Sequence, residues 1–125
     1  MLTAIALLVS CGGGAADGPE PGTRVVQGRE GWLLAVPSAP VAAGSDVKIW
    51  YNGSELERGP RVYIRMEVRV PDGSVGGGSE IYLGAPGWTF LPFRNTVQAG
   101  SYNVAMMDSA TNEVFVEAEF RVEEE

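Results

Sequence analysis

A regular alternation of apolar and polar side chains in the middle of the chain sets the strongest limit on its fold. From Arg61 to Val70 every second residue is apolar. Five consecutive matches to a period of two predict a β-strand with one buried face and leave little room for a helix. The turn sequence Pro71-Asp72-Gly73 then ends the strand. The residues expected to face inward are Val62, Ile64, Met66, Val68 and Val70, and those expected to face outward are Arg61, Tyr63, Arg65, Glu67 and Arg69.

Other short apolar segments, separated by turn residues, predict further strands. The segment 46–51 alternates with a period of two, and so does 113–122, in which we expect Val114, Val116, Ala118, Phe120 and Val122 to face inward. The glycine-rich residues 74–79 are interpreted as a flexible connection. No segment has a helical period of any length. Seven or eight strands at a spacing of roughly 8–15 residues predict an all-β, antiparallel β-sandwich.

The segment Gly100-Ser101-Tyr102-Asn103-Val104 resembles the tyrosine corner of immunoglobulin-like domains, with Tyr102 as the corner residue. The whole segment 99–122 is similar to the closing hairpin of many bacterial immunoglobulin-like and fibronectin-like domains. Val104 stands where antibody domains carry their second cysteine, so the resemblance implies a sandwich without the disulfide between its sheets. It concerns the fold, and a fold does not imply a function.

The amino-terminal residues resemble the signal peptide of a bacterial lipoprotein. A short apolar run, Leu2 to Val9, is too short to span a bilayer but suits a signal peptide. Leu8-Val9-Ser10-Cys11 stands at the position of the lipobox, although no Lys or Arg precedes the run. The resemblance implies cleavage before Cys11, a lipid on the Cys11 thiol and attachment to a membrane. Gly12 in place of Asp implies the outer membrane, if the cell has one.

These observations predict three parts of the chain. Residues 1–10 are interpreted as the signal peptide and residues 11–22 as the lipidated Cys11 with a tether of Gly, Ala and Pro. Residues 23–125 are interpreted as the sandwich, and a chain of that size can bury a core without disulfides or metals.

The composition argues against several classes of function. The chain has no histidine and a single cysteine, so the common catalytic triads and the commonest zinc ligand are absent. Nine basic against sixteen acidic residues give a net charge of −7, which argues against nucleic-acid binding. The loop carboxylates Asp72, Asp108 and Glu113 do not form a dense calcium-binding pattern. We therefore expect no enzyme activity, no cofactor and no metal.

The outward face of the sheet that contains the 61–70 strand is the leading candidate for binding. Small outward residues of segment 101–107 are expected to lie between the arginines of segment 61–70 and the glutamates of segment 113–119. A charged face of this kind is often only solvated, because exposed ion pairs contribute little. The functional interpretation is a docking face for a protein, anchored by Tyr63 and Phe115 and flanked by Arg65, as a bidentate partner, and Glu117.

Two alternatives remain open from the sequence. Trp32, Tyr82, Trp88 and Phe90 could stack on sugar rings of a carbohydrate or peptidoglycan, although Trp88 or Trp50 is expected to fill the core. The loop 52–60 could act as the wedge of a small enzyme inhibitor. The leading hypothesis is a non-catalytic, lipid-anchored module of the cell envelope that binds a protein partner.

Overall fold

Nine β-strands and one short 3-10 turn form the regular structure of the computed structural model, which describes residues 18–53, 64–81 and 87–124. The count is one or two above expectation and includes a strand of two residues. No helix in these ranges is long and apolar enough to cross a membrane. The strands are β1 (Thr23–Gln27), β2 (Leu33–Pro37), β3 (Val41–Ala42), β4 (Val47–Asn52), β5 (Ile64–Arg69), β6 (Val75–Ile81), β7 (Thr89–Phe93), β8 (Gly100–Asp108) and β9 (Val114–Glu123), and the 3-10 turn is Arg29–Gly31.

The strands form two sheets, as predicted for a sandwich. The four-stranded sheet has the order β1-β2-β4-β7, and the five-stranded sheet has the order β3-β9-β8-β5-β6. All pairs are antiparallel except the short pair of β3 with β9, which is parallel. The strands predicted from segments 61–70 and 101–107 are β5 and β8, and they are neighbours.

The core lies between the two sheets and is built from the apolar side chains that alternate along the strands. On β5 the inward residues are Ile64, Met66 and Val68, as the alternation predicts. Three aromatic rings meet at the centre, since Phe93 lies edge-on to Tyr102 with a centroid distance of 6.0 Å and Phe120 stacks on Tyr102 at 5.2 Å.

Tyr102 has the hydrogen bond that the tyrosine-corner resemblance implies. Its ring is fully buried, and its hydroxyl donates to the Gln98 carbonyl oxygen at 2.7 Å. Burial raises the pKa of Tyr102, and the bond to Gln98 opposes that rise. The corner therefore fixes the start of β8 to the loop that precedes it.

The glycine-rich segment, interpreted from the sequence as a flexible connection, is instead most of strand β6, which pairs with β5. A Cβ on Gly77 would lie 2.7 Å from Phe93 Cε1, and a Cβ on Gly78 would overlap the Met66 carbonyl oxygen. Side chains larger than hydrogen do not fit there. The glycines let β6 approach its neighbours closely, which is a packing role rather than a flexible one.

The tryptophan between the sheets is Trp32, and neither Trp50 nor Trp88 has that place. Trp50 alternates with the inward residues of β4 and points to the outer face of the four-stranded sheet, yet it is only 1% exposed. Residues 18–22, here called the strap, cover it. The Trp50 indole N–H donates to Glu20 Oε1 over 3.4 Å.

Both ends of the strap contact the sandwich. The Gly22 carbonyl oxygen accepts bonds from the Ser38 backbone N–H and hydroxyl, both at 2.9 Å. At the other end, a Cβ on Gly18 would lie 3.1 Å from Trp88 Cδ1. The last five residues of the predicted tether therefore pack on the sandwich.

Candidate protein-binding surface

The outer face of the five-stranded sheet is organised in three rows of side chains that run across β5, β8 and β9. The register aligns Arg65 with Met107 and Val114, Glu67 with Ala105 and Glu117, and Arg69 with Asn103 and Glu119. In each row the middle residue comes from β8. Alternating side-chain direction places all nine residues on the same side of the sheet.

A groove of about 470 Å³ runs along β8 on this face. Ala105 and Asn103 form part of its floor, and their small side chains leave the space open. One wall carries the two arginines of β5 and the other carries Glu117, with Val114 and Met107 at one end. Strands two apart in a sheet are about 10 Å apart, so the walls are far enough apart to admit a peptide segment.

Arg65 is held in place by four neighbours, one of which is the Ser109 carbonyl oxygen, 3.5 Å from its Nη1. Its Nε bonds Glu67 Oε2 at 2.9 Å, and its Nη2 donates to Asn112 Oδ1 at 2.7 Å and approaches Met107 Sδ at 2.9 Å. The sequence hypothesis gave Arg65 the role of a bidentate partner for a carboxylate. In this arrangement Glu67 and Asn112 already use the donors on that side of the guanidinium group.

Glu67 joins the two arginines of the β5 wall. Its Oε1 lies 3.3 Å from Arg69 Nη2, while Oε2 bonds Arg65. Arg69 also donates through Nη1 to the Gly73 carbonyl oxygen at 2.9 Å. The β5 wall is thus an internally paired cluster of fixed geometry.

The opposite wall is different, because its carboxylate, Glu117, is not paired in this way, and neither is Glu119, which follows on the same face of β9 outside the groove lining. Within residues 18–53, 64–81 and 87–124, neither Glu117 nor Glu119 has an ion pair or a side-chain hydrogen bond of its carboxylate. Both side chains are exposed. The groove therefore presents open negative charge on its β9 side.

Phe115 does not belong to this face, which corrects the predicted register of β9. Met106 pairs with Val116 and Met107 pairs with Val114, so Phe115 is the extra residue of a β-bulge. The bulge turns Phe115 towards the core, where its ring stacks on Trp32 with a centroid distance of 5.1 Å and an interplanar angle of 6°. Val114, expected inside, is 37% exposed and lines the groove.

The structure brings together two of the four residues proposed for the docking face. Arg65 and Glu117 line the same groove, whereas Phe115 lies elsewhere and Tyr63 is outside the described residues. Met107 was expected among the outward residues of this face, whereas Val114 was assigned to the core and Asn112 to the turn alone. The available sign was the run Val114-Phe115-Val116, because three successive apolar residues cannot satisfy a period of two without a bulge or an exposed apolar side chain.

The loop carboxylates considered for calcium are engaged in local structure. Asp72 accepts from the Ser74 backbone N–H and hydroxyl at 2.8 and 2.6 Å, and these bonds lower the pKa of Asp72. Asp108 accepts from the backbone N–H groups of Ala110 and Thr111, and Glu113 pairs with Arg29 at 2.9 Å. No three acidic or cysteine side chains of the described part are grouped to hold a metal ion.

Of the aromatic residues considered for sugar binding, only Trp88 and Phe90 are described on a common face. Trp32 is buried between the sheets, and Tyr82 is outside the described residues. Trp88 and Phe90 lie on the outer face of the four-stranded sheet, where Phe90 is 37% exposed and contacts Trp50 at a centroid distance of 5.0 Å. The inhibitor loop is described only as far as Gly53, and Cys11 also lies outside the described residues.

Comparison with known proteins identifies the fold. The chain matches no protein-family model and no curated protein. Among solved structures it is similar to an immunoglobulin-like protein from Pseudomonas aeruginosa, with 15% sequence identity and a TM-score of 0.50. The similarity covers 83% of this chain and 100% of the other. The chain has the immunoglobulin-like β-sandwich fold that the tyrosine corner implied.

Proposed function

We propose that this chain is a non-catalytic module of the cell envelope, anchored by a lipid on Cys11, that binds a protein partner in the groove along β8. Three observations support the proposal: the resemblance of residues 8–11 to a lipobox, the immunoglobulin-like fold and the shape and charge of the groove. The groove is the observation that carries the binding part.

The fixed geometry of the arginine wall favours recognition of a partner. Arg65 is already held by Glu67, Asn112 and Met107, so little side-chain entropy is lost when a partner covers it. Rigid, partly buried arginine is common at the energetic centre of protein interfaces. Met107 and Val114 supply apolar contact area next to it.

The open charge on the other wall indicates the chemistry of the partner. Because the Glu117 and Glu119 carboxylates have no ion pair within the described ranges, they can accept from Lys or Arg of a partner. We propose an extended or helical segment that lies along β8, with basic side chains towards β9 and an apolar side chain over Ala105 and Val114.

The described aromatic residues favour a protein over a sugar as the ligand. Of the residues considered for sugar binding, Trp32 is only 1% exposed, whereas Trp88 and Phe90 share one face and are half-buried and 37% exposed. Within the described ranges, no pair of exposed tryptophans shares a face. The sugar-binding alternative therefore has less support than the groove.

A photo-crosslinking experiment in the native envelope tests the groove. A photoreactive amino acid replaces Val114 in one variant and Val97, an exposed residue outside the groove lining, in a control. We expect a discrete protein adduct from position 114 and none from position 97. Adding Ala105→Arg, which fills the groove floor, should remove the adduct while the denaturation midpoint stays close to that of the parent.

Two results would contradict the proposal. Equal labelling from positions 114 and 97 would indicate non-specific proximity, and an adduct that survives both Ala105→Arg and Glu117→Arg would place the interface elsewhere. The anchoring part has its own test: Cys11→Ala should release the chain from membranes, and unchanged fractionation with membranes would refute lipidation.

A further inference from the structure

The outer side of β7 forms an apolar patch on the opposite side of the sandwich from the groove. Alternation along the chain places Trp88, Phe90 and Pro92 on this side, and Lys48 from the adjacent strand lies over the Phe90 ring with Nζ 5.0 Å from its centroid. Phe90 is 37% exposed, Pro92 is exposed and Trp88 is half-buried. We call Trp88, Phe90, Pro92 and Lys48 the β7 patch.

The path of the strap brings the amino-terminal part of the chain to this patch. Thr23 begins β1 at one edge of the four-stranded sheet, and the strap crosses the outer face from there, with Glu20 at Trp50 and Gly18 at Trp88. The described chain therefore starts beside Trp88. Gly18, the first described residue, thus lies at the β7 patch.

The stretch of sequence between Gly18, at the β7 patch, and the predicted lipid attachment site Cys11 is short. Cys11 precedes Gly18 by seven residues, and seven residues span at most about 25 Å when fully extended. A lipid on Cys11 would hold the β7 patch within that distance of the bilayer surface. Tethering at such short range gives a high effective concentration, so even a weak contact between patch and lipid is populated.

The chemistry of the patch suits the interface between lipid headgroups and acyl chains. Tryptophan and lysine are favoured there because each combines an apolar body with a polar or charged end. Among the described residues, the charges of Lys48 and Glu20 on this outer face are opposite, and Arg94 pairs with Asp46 at 3.7 Å.

We propose that the β7 patch rests on the membrane surface and holds the domain in one orientation, with the groove turned towards the aqueous side. The proposal depends on the lipid on Cys11 put forward above. It adds a second contact with the membrane and gives a reason why the strap is folded onto the sandwich. The ligand is the interfacial region of a phosphatidylcholine-type bilayer rather than an anionic headgroup.

Tryptophan fluorescence provides a direct test, because Trp32 and Trp50 are buried and Trp88 is the partly exposed reporter. The full chain is purified from membranes and reconstituted into phosphatidylcholine vesicles with brominated or ordinary acyl chains. We expect loss of emission in the brominated vesicles, and we expect Trp88→Phe to remove that loss. Phe90→Glu should reduce the quenching strongly, whereas Val97→Glu should leave it unchanged.

A second variant is needed because Phe90→Glu removes the contact of Phe90 with Trp50, and a loss of quenching could then result from misfolding. Lys48→Glu leaves that contact in place and should also reduce quenching. Equal emission in both kinds of vesicle would overturn the proposal, as would quenching that persists in Trp88→Phe. Absence of quenching at all concentrations, together with self-association of the chain that Phe90→Glu abolishes, would overturn it in favour of a second copy on the patch.

The outcomes for the two proposals are distinguishable. If Cys11 carries no lipid, the chain is absent from the membrane fraction before any vesicle is made, which refutes the anchoring part of the proposed function. If the chain is anchored but not quenched, only the orientation proposal fails. Crosslinking from Val114 reports on the groove in either case.

Discussion

At the scale of single residues, the contact between Phe115 and Trp32 links the five-stranded sheet to the segment that enters β2. The two rings are nearly parallel, and the guanidinium carbon of Arg29 lies 5.9 Å from the Phe115 centroid on the solvent side. Stacked aromatic pairs stabilise a fold beyond the area that they bury. Phe115 is therefore a structural residue next to a candidate binding surface.

Replacing Phe115 tests this assignment. Phe115→Ala should lower the free energy of unfolding by about 2–3 kcal/mol, somewhat less than for a fully buried phenylalanine, because the ring is only half-buried. The matched change Val114→Ala, at an exposed position, should cost less than about 1 kcal/mol. Urea unfolding measures both. Equal losses would mean that the bulge does not form.

Residue patterns alone could predict most inward positions but not this one. Alternation assigns Ile64, Met66 and Val68 because a strand without a bulge has a strict period of two. In β9 the same rule gives Val114 the inward place, because the run Val114-Phe115-Val116 indicates an irregularity without showing which of the three is the extra residue. The preference of Phe115 for Trp32 is a contact across 83 positions of sequence, and such contacts are invisible to a local pattern.

At the scale of elements, β6 shows how packing can override strand propensity. Glycine is depleted in strands, so a run of three predicts a loop. The ladder with β5 and the ring of Phe93 nevertheless define a strand there. The sequence shows the glycines, but it could not show that they form a strand, because the need for small residues there depends on Phe93 lying against β6.

Adding one methyl group at Gly78 tests how closely β6 packs against β5. Gly78→Ala should lower the free energy of unfolding by about 1–3 kcal/mol, because Gly78 has a φ of +148° and an added Cβ would overlap the Met66 carbonyl oxygen. Ser79→Ala, at the next position and exposed, should change it by no more than about 0.5 kcal/mol. If both variants are equally stable, β6 is not held against β5 as described.

At the scale of the whole molecule, two buried tyrosines make stability depend on alkaline pH. Burial raises the pKa of Tyr51 and of Tyr102 above the ordinary value of 10.0. Above that value the unfolded chain releases protons that the folded chain still holds. The contribution of these residues is therefore fully present below about pH 10 and is lost as the pH rises through the folded-state pKa values.

Tyr102→Phe separates two effects of the Tyr102 hydroxyl, namely its hydrogen bond to Gln98 and its titration at alkaline pH. At neutral pH it removes the hydroxyl bond to Gln98 and should cost about 1 kcal/mol. At alkaline pH it should reduce the loss of stability, because one of the two described tyrosines with a raised pKa is gone. Urea unfolding at about pH 8 and about pH 11 measures both. An alkaline loss identical to that of the parent would contradict a raised pKa at Tyr102.

The class of fold was predictable, whereas the placement of the candidate site was predictable only in part. Turn residues, alternation and the corner at Tyr102 together indicate a sandwich, since each is a local property. The order β3-β9-β8-β5-β6 depends on pairings between distant segments. The neighbourhood of Arg65 and Glu117 was inferred correctly, because it needed only that β5, β8 and β9 share a sheet.

The bulge at Phe115 has a consequence for how the hairpin between β8 and β9 can vary. The extra residue shifts the inward–outward alternation of side chains in β9 by one position. The side chains before the bulge and those after it therefore do not share one alternating pattern. The tip at residues 109–113 sets the position of Asn112 and Val114 on the groove, while residues 116–122 keep their places in the core. We expect the tip to accept new sequences, and with them new binding preferences, without any repacking between the sheets.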